Sequence, residues 1–477
     1  MSSWFQISYV SLTFSLKSMQ PLIRGVDMFD TVIKNGTIVT AYETIQADIG
    51  IEGEKIAAIG HDLRGKQIID ATGKLVTPGA VDIHVHLEMP IGKFTSTDDF
   101  FTGTRAAACG GTTCIVDFVE RQPDETMVEA IAARRALADP KTVIDYSLHM
   151  TLGPNEIPIL EQVSEAYAAG CTSFKLYMAY GLRLNDGELL RALTAVSHTN
   201  GIPVVHAENW DIITTLISQN LEAGRTTPHW HPRSRPAKME AEATGRVIDI
   251  AAMVGTPIHI FHVSCDATVQ RIAAARQRGL PVTGETCPQY LFQTWDAYDA
   301  PGVEGALPVC SPPIRSQSEQ DALWQALADG NLQMITTDHC PFTHEEKATG
   351  LFDYSQIPGG VPSIEMRFAS IYHKGVRTGL LTPNQWIDLC CTTPAKTVGL
   401  TNKGHIGIGF DADMVIFDPN VKFFVTANSL HEAAGWTLYN GLTLHGWPIT
   451  TISRGEIIVD NGQLLGRAGQ GQFVKRN

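Results

Sequence analysis

Two histidines spaced two residues apart carry the first chemical indication in this sequence. His84 and His86 stand in VDIHVHLEMP, at the end of an apolar run with the texture of a β-strand. Side chains two residues apart on a strand project to the same side, so both imidazoles face one way. Two neutral ring nitrogens can share one borderline metal ion. Such a pair often arises by coincidence, so the prediction of a metal site depends on ligands elsewhere.

Four further residues of metal-binding type follow at the ends of later apolar runs. They are Lys175 in SFKLYMAY, His206 in PVVHAEN, His262 in PIHIFHVS and Asp338 in MITTDHCPF. Each has an ordinary alternative, because a lysine can be paired, a histidine can be satisfied in a core and an aspartate can cap a turn. If the runs are parallel barrel strands, their C-terminal ends converge on one face. The joint occurrence therefore predicts one cluster of ligands.

Lys175 is the unexpected member of this set, because an ammonium group repels a metal ion. Burial and neighbouring positive charge lower a lysine pKa, and the neutral amine can react with carbon dioxide to give a carbamate, N6-carboxylysine. A carbamate is a carboxylate that can bridge two divalent ions and offset part of their charge. A water between two such ions ionises near neutral pH and can attack a carbonyl carbon.

Two residues suit the remaining steps of amide hydrolysis. Asp338 can bind the first ion and also carry a proton from the water to the departing amide nitrogen. Tyr180, on the segment that follows Lys175, can donate a hydrogen bond to the developing oxyanion. The alternative for Tyr180 is an aromatic side chain that only packs within its loop.

These residues need a fold that brings distant strand ends together. Over 81–403, apolar runs such as CIVDFV alternate with helical patterns such as TMVEAIAARRALA and ILEQVSEAYAAG, which predicts an α/β fold with a (β/α)8 barrel. Short strands with hairpin turns over 28–80 and 404–465 predict one small β-sandwich built from both chain ends. We expect 1–27 to be a disordered extension, with a misplaced start codon or a transit peptide as alternatives, and 466–477 to be a C-terminal tail.

Composition excludes several classes of function. The chain has 36 basic and 50 acidic residues, a formal net charge of −14, and no basic run, which argues against nucleic-acid binding. No apolar run is long enough to span a membrane. The nine cysteines are an odd number without zinc-finger spacing, so we expect reduced, mostly buried thiols and a cytoplasmic location.

Longer motifs around these residues resemble those of the dihydropyrimidinases and D-hydantoinases, cyclic amidohydrolases of the amidohydrolase superfamily. The resemblance extends from Met28 nearly to the C-terminus. The His-x-His pair is common to the whole superfamily, whereas FKLYMAY, ETCPQYL and DHCPF together look specific to this branch. The remaining matching segments are VDIHVHLEMPIGKFTSTDDFFTGTRAAACGGTT, HAEN, CSPPIR and the closing GQFVKR.

The resemblance implies a binuclear centre, with zinc as the usual metal, in a homotetramer that acts on a small cyclic amide. One ion would be bound by His84, His86, carbamylated Lys175 and Asp338, and the other by the carbamate, His206 and His262. By the same resemblance, Tyr180 is the oxyanion donor, and the backbone of Ser311 in CSPPIR binds the amide of the substrate ring.

Two positions depart from the family pattern and leave the substrate open. Gly359 in IPGGVPSIEMR replaces a usual asparagine whose backbone contacts the substrate ring, and glycine loosens such a loop. Trp210 in HAENWD replaces a common glycine. Six residues resemble those that shape an apolar pocket for the exocyclic substituent, although each could instead pack on the barrel rim: Leu87, Met89, Ile91, Tyr177, Leu182 and Leu184.

The sequence thus predicts hydrolytic ring opening of 5,6-dihydropyrimidines or 5-substituted hydantoins to N-carbamoyl amino acids. An allantoinase is the nearest alternative. A dihydroorotase is a weaker one, because it needs a basic group for a ring carboxylate and the loops show no obvious candidate. A non-catalytic scaffold homologue is the alternative from another class. It is disfavoured because all six ligand positions carry ligand residues.

Overall fold

Eight parallel strands form the central sheet in the computed structural model, which describes residues 28–476. Each strand pairs with the next one along the chain, as expected for successive βα units. A parallel bridge between Val85 and His339 connects the segments that follow the first and last strands, which closes the barrel. The strands are Ala80–Asp82, Thr112–Val119, Asp145–Thr151, Ser173–Tyr177, Ile202–His206, Ile258–Ile260, Val282–Thr286 and Met334–Ile335.

Helices cover the outside of this barrel, and several of them begin at a residue whose side chain caps the helix. The Thr126 and Asn185 side chains each accept a hydrogen bond from the backbone N–H of the glutamate three residues on. The side chain of that glutamate in turn accepts a hydrogen bond from the backbone N–H of Thr126 or Asn185. The α-helices are Phe100–Cys109, Met127–Ala138, Val163–Ala168, Asp186–Ser197, Trp210–Glu222, Ala237–Val254, Asp266–Gln277, Pro288–Phe292, Gln317–Ala328, His344–Ala348, Arg367–Ile371, Pro383–Ile387 and Thr393–Thr397.

One predicted helix is divided. The run ILEQVSEAYAAG starts within a short 3₁₀ segment, Ile157–Gln162, which is kinked at Ile159 with φ −123°, and becomes α-helical over Val163–Ala168. Other short 3₁₀ segments are Pro228–Trp230, Pro232–Ser234, Trp295–Asp299, Gly302–Gly305, Tyr354–Gln356 and Ala427–Ser429, and single π turns occupy Tyr372–Val376 and Asp388–Thr392.

Two sheets form the sandwich beside the barrel. The first is built from the N-terminal part alone: Phe29–Lys34, Asp48–Glu52, Lys55–Gly60 and Gly65–Asp70. The second combines both chain ends, since Leu75–Pro78 pairs antiparallel with Met414–Phe424. Its other strands are Thr37–Val39, Thr44–Gln46, Thr443–Ser453, Glu456–Asp460 and Gln463–Leu464, and a separate hairpin joins Pro90–Ile91 to Phe94–Thr95.

The predicted α/β fold, a barrel with a sandwich made from both chain ends, is therefore confirmed. The shared sheet supports the predicted division into 28–80, 81–403 and 404–465, which we retain as a proposal. The predicted extension 1–27 lies outside the described residues. In the part of the chain that the structure describes, no helix is long and apolar enough to cross a membrane.

The C-terminal tail packs against the barrel at the end opposite the C-terminal strand ends. The amide of Val474 donates to the Tyr146 carbonyl at 2.7 Å. Arg476 is 1% exposed and donates to the hydroxyls of Ser147 and Ser173, each at 2.8 Å. Because Tyr146, Ser147 and Ser173 lie at or near the N-terminal ends of their strands, the tail covers the N-terminal face of the barrel.

Candidate active site

The barrel brings all nine predicted site residues to one cavity of about 740 Å³. The cavity lies at the C-terminal ends of the strands, where barrel folds place chemistry. The strands determine these positions directly, since Lys175 lies within Ser173–Tyr177 and His206 is the last residue of Ile202–His206. The nine predicted residues that line the cavity are His84, His86, Lys175, Tyr180, His206, His262, Ser311, Asp338 and Gly359.

Histidine nitrogens converge on the Asp338 carboxylate. The Nε2 atoms of His84 and His86 lie 3.0 and 3.1 Å from Asp338 Oδ1. One donor atom each from His84, His262 and Asp338 lies within 4.8 Å of the others. The ring centroids of His206 and His262 are 4.6 Å apart, and that of His262 is 5.3 Å from that of His84, which joins the second pair of histidines to the first.

Two buried ring nitrogens support a metal at this point. Within residues 28–476, Nδ1 of His262 is buried without a hydrogen-bond partner, and Nε2 of His84, although 3.0 Å from Asp338 Oδ1, is buried without hydrogen-bond geometry to any partner. A buried polar atom left unpaired costs free energy, which a bound cation would recover. Burial also lowers the pKa of His86, His206 and His262, which favours the neutral, metal-binding form of each imidazole. The residues present therefore fit a divalent metal centre.

Carboxylates orient two of these histidines from behind. Glu285 lies 2.5 Å from Nδ1 of His84 and 3.0 Å from Nε2 of His259. Burial would raise the pKa of Glu285, but these two histidines outweigh it and lower that pKa to about 2. An ionised carboxylate of this kind fixes the tautomer of a ligand histidine and presents its other nitrogen.

Glu208 contacts His206 of the second histidine pair in the way that Glu285 contacts His84. It lies 2.9 Å from Nε2 of His206 and 2.5 Å from Nη1 of Arg235. This contact leaves Nδ1 of His206 for a metal. Sequence reasoning missed both carboxylates, although Glu208 stands two residues after His206, a spacing that could have indicated a partner for that ligand.

Lys175 is enclosed by aromatic rings. Its side chain is 1% exposed, and Nζ lies 4.1 Å from the ring centroid of Phe261 and 5.4 Å from that of Phe118. Burial lowers the pKa of Lys175 to about 7, although Asp338 and Glu285 oppose the shift. A substantial fraction of the amine is therefore neutral near pH 7, as carbamate formation requires.

Three residues of the site have left-handed backbones. The φ angles of Tyr180, His262 and Asp338 are 67°, 41° and 50°. Non-glycine residues adopt this region at a cost, and such strain is concentrated at functional sites. Here the conformation turns each side chain toward the cavity at the point where a strand passes into a loop.

Tyr180 remains a phenol at neutral pH. Burial raises its pKa to about 12, in spite of the opposing charge of Arg235. Its ring centroid lies 5.3 Å from that of His206 and 5.0 Å from that of Trp210. Trp210, which stands where the family commonly has glycine, is not among the cavity-lining residues. Its side chain packs against the Tyr180 ring and does not fill the cavity.

Ser311 and Gly359 lie next to each other in the wall of the cavity. A Cβ atom at Gly359 would lie 3.5 Å from the hydroxyl oxygen of Ser311, an ordinary contact distance. The site therefore has room for a side chain at this position. The glycine leaves that room to the ligand and enlarges the space beside Ser311.

The expected apolar pocket is only partly present. Three of the six predicted residues line the cavity: Ile91, Tyr177 and Leu182. The other three are buried within the protein, so the prediction was wrong for them: Leu87, Met89 and Leu184. Two charged side chains that the sequence interpretation missed also line the cavity, Lys93 and Glu120.

The known proteins that are similar to this chain are amidohydrolases, which fits the geometry of the site. Residues 75–458 match the amidohydrolase family. The chain is 42% identical to a D-hydantoinase of Geobacillus stearothermophilus, with 93% of this chain and 96% of the relative covered. It is 40% identical to a D-hydantoinase of Streptomyces coelicolor, with 94% and 98% covered.

Solved structures give the same result. The structure of a dihydropyrimidinase from Brevibacillus agri is 42% identical with a TM-score of 0.91, over 94% of this chain and 98% of that one. A D-hydantoinase from Bacillus sp. AR9 is 43% identical with a TM-score of 0.92, over 94% and 99%. The chain therefore belongs to the amidohydrolase family, in the group that contains the D-hydantoinases and dihydropyrimidinases.

Proposed function

We propose that this protein opens the rings of 5-substituted hydantoins or 5,6-dihydropyrimidines by hydrolysis and releases N-carbamoyl amino acids. The observation that carries the proposal is the gathering of four histidines, a lysine of lowered pKa and an aspartate in one cavity beside Tyr180. Relatives named D-hydantoinase and dihydropyrimidinase support the same reaction.

The donor set suits two divalent ions, which we infer to be zinc because nitrogen and oxygen ligands dominate it. His84, His86, carbamylated Lys175 and Asp338 would hold one ion, and the carbamate with His206 and His262 would hold the other. When bound, such ions polarise a carbonyl group and acidify a water molecule.

The chain's own residues handle the proton and the developing charge. Burial would raise the pKa of Asp338, but His84 and His86 hold it well below its ordinary value, so this carboxylate is ionised near neutral pH, the form in which it would accept a proton from the attacking water. Delivered to the amide nitrogen, that proton makes the nitrogen a competent leaving group as the C–N bond breaks. The Tyr180 phenol donates a hydrogen bond to the oxyanion, and the backbone at Ser311 and Gly359 orients the ring.

The test is ring-opening activity of zinc-loaded protein on dihydrouracil, 5-phenylhydantoin and allantoin, followed by loss of ring-amide absorbance. We expect turnover of at least one of the first two, and none by the Asp338→Asn variant. Elemental analysis of the same samples should find stoichiometric metal. A protein without metal that is silent on all three compounds would instead be a non-catalytic homologue.

A second candidate is a cyclic amide with a polar substituent, such as allantoin. The observation in its favour is that Lys93 and Glu120 line the cavity, where a purely apolar pocket was expected. Turnover of allantoin with no activity on the other two compounds would select this candidate.

We also propose a homotetramer in the cytoplasm. The tetramer rests on the resemblance to the family, and light scattering of the purified protein tests it. The cytoplasmic location is supported by the nine cysteines, all of which are buried free thiols in the structure.

A further inference from the structure

Glu120 presents an uncommitted carboxylate to the substrate cavity. It directly follows the barrel strand Thr112–Val119, on the face that carries the metal-binding residues, and it is one of the cavity-lining residues. Among residues 28–476, the structure gives it no hydrogen bond and no ion pair. The group is also half-buried, so water solvates it incompletely.

The nearby arginines form ion pairs with other carboxylates. Arg121 pairs with Glu156 at 3.0 Å, and Arg134 pairs with Asp117 at 2.6 Å. Burial raises the pKa of Glu120 to about 7, and Asp117 with Glu156 adds to the effect, whereas Arg134 opposes it. A partly desolvated carboxylate without a partner, in a cavity, indicates a functional role.

Glu120 shares the cavity with the reaction centre and with Tyr177. The Tyr177 ring centroid is 4.8 Å from Nζ of Lys175, and Tyr177, Glu120 and the metal-binding residues line the same cavity. Tyr177 therefore stands beside the metal-binding cluster in the cavity that Glu120 also lines. A ring bound at the cluster would extend its substituent past Tyr177 toward this carboxylate, along the apolar side chains of Ile91 and Leu182.

We propose that Glu120 accepts a hydrogen bond from a donor at the end of the exocyclic substituent. This inference rests on the ring-opening function proposed above and specifies its substrates. The preferred substituents end in an amine, guanidinium, ureido or hydroxyl group carried on a chain or ring that packs against Tyr177. Above pH 7, where the ionised form of Glu120 predominates, a hydrogen bond to this charged acceptor corresponds to a preference of roughly 10- to 100-fold over a matched hydrocarbon substituent.

Lys93 is the competing partner for this carboxylate. It lies in the turn between Pro90–Ile91 and Phe94–Thr95 and also lines the cavity. Its Nζ lies 5.1 Å from the ring centroid of Phe94 in the structure, and it makes no ion pair within the described range 28–476. The proposal therefore requires a comparison in which Lys93 is removed separately.

The experiment compares matched substrate pairs on zinc-loaded protein: 5-(4-aminobutyl)hydantoin against 5-butylhydantoin, and 5-(4-hydroxybenzyl)hydantoin against 5-benzylhydantoin. The measured quantity is the ratio of kcat/KM within each pair, because a ratio cancels any general loss of activity. We expect the wild type to favour the donor-bearing member. In Glu120→Leu the ratio should fall roughly 10- to 100-fold, in Glu120→Gln it should fall less for the hydroxyl pair, and in Lys93→Met it should stay high.

An equal ratio in the wild type and in Glu120→Leu would overturn the inference. So would a preference that emerges only in Lys93→Met, since Lys93 would then occupy the carboxylate. Metal content of Glu120→Leu equal to that of the wild type confirms that the variant reports on the substituent and not on the metal centre. If the wild type opens none of the four hydantoins, the proposed function itself fails, which distinguishes that outcome from loss of selectivity alone.

Discussion

At the scale of single residues, the reactivity of Lys175 depends most on its surroundings, because burial lowers the pKa of its amine. We predict that Lys175→Arg loses metal and activity together, because a guanidinium stays protonated and cannot form a carbamate. The expected fall in kcat/KM is roughly 1,000-fold or more, as for the loss of one member of a catalytic unit. Elemental analysis and steady-state kinetics of the same preparation measure both effects. A metal-replete, active variant would rule out the bridging carbamate.

Tyr180 should contribute to catalysis independently of metal binding. Loss of its hydroxyl in Tyr180→Phe should lower kcat by roughly 100- to 1,000-fold, the usual effect of removing one oxyanion donor. The metal content should stay at the wild-type level, because the phenol is not among the proposed ligands. Kinetics at saturating substrate, with metal analysis as the control, measure this, and an unchanged kcat would assign Tyr180 to packing against Trp210.

The ligand residues could be predicted from the sequence because each lies at the end of an apolar run, where barrel geometry fixes its direction. Their carboxylate partners could not. Glu285 is 201 residues from His84, and nothing local shows that the two side chains meet. Glu120 was missed for another reason, since its significance comes from the lack of a partner, which only the surrounding structure reveals.

At the scale of elements, the short helix His344–Ala348 ties together the two segments proposed to bind the substrate ring. Lys347 on this helix is 0% exposed, and its Nζ donates to the carbonyls of Val309 at 2.7 Å and Pro358 at 2.9 Å. These carbonyls lie two residues before Ser311 and one before Gly359. We infer that Lys347 positions both segments without touching the substrate.

Replacement of Lys347 by methionine should therefore act on binding more than on chemistry. We expect KM to rise roughly 10-fold, the equivalent of one lost hydrogen bond, with a smaller change in kcat. The exposed Lys238 provides a matched control, and Lys238→Met should leave both constants unchanged. Equal falls in kcat for all substrates without a change in KM would mean that Lys347 serves the fold alone.

The same lysine predicts a dependence of stability on pH. Burial lowers the pKa of Lys347 from its ordinary 10.5 to about 7. Between these values the amine is charged in the unfolded chain and neutral in the folded one, so folding releases a proton and stability rises with pH. Urea unfolding at pH 7 and pH 9.5 should show the wild type gaining stability relative to Lys347→Met. A difference that does not change with pH would mean that the amine stays protonated when buried.

The elements themselves were largely predictable, whereas the cavity walls were not. Apolar runs identified the barrel strands because parallel strands are buried on both faces. The walls come from loops, and loop side chains follow no period that would separate lining from packing. Leu87 and Leu184 thus look like Ile91 and Leu182 in the sequence, although the first two are buried in the core and the last two line the cavity.

At the scale of the whole molecule, a buried ion network joins the barrel to the sandwich. Nζ of Lys403 lies 2.6 Å from Asp145 on a barrel strand and 2.7 Å from Asp413 beside the sandwich strand Met414–Phe424. A third carboxylate, Asp411, lies 2.8 Å from the same nitrogen. The sequence could not reveal this contact, because 258 residues separate Lys403 from Asp145. The network thus links the barrel to the sheet that both chain ends share.

Lys403→Met should accordingly destabilise the protein as a whole. Removing the cation leaves Asp145 and Asp413 buried without the ammonium that pairs with both, a change that costs about 3–5 kcal/mol. Lys55 offers a matched control, since it also pairs with Asp411 but its side chain is 46% exposed, and such pairs contribute about 0–1 kcal/mol. Urea unfolding followed by circular dichroism should show a much lower midpoint for Lys403→Met than for Lys55→Met. If the two midpoints coincide, apolar packing and not the ion network holds the sandwich to the barrel.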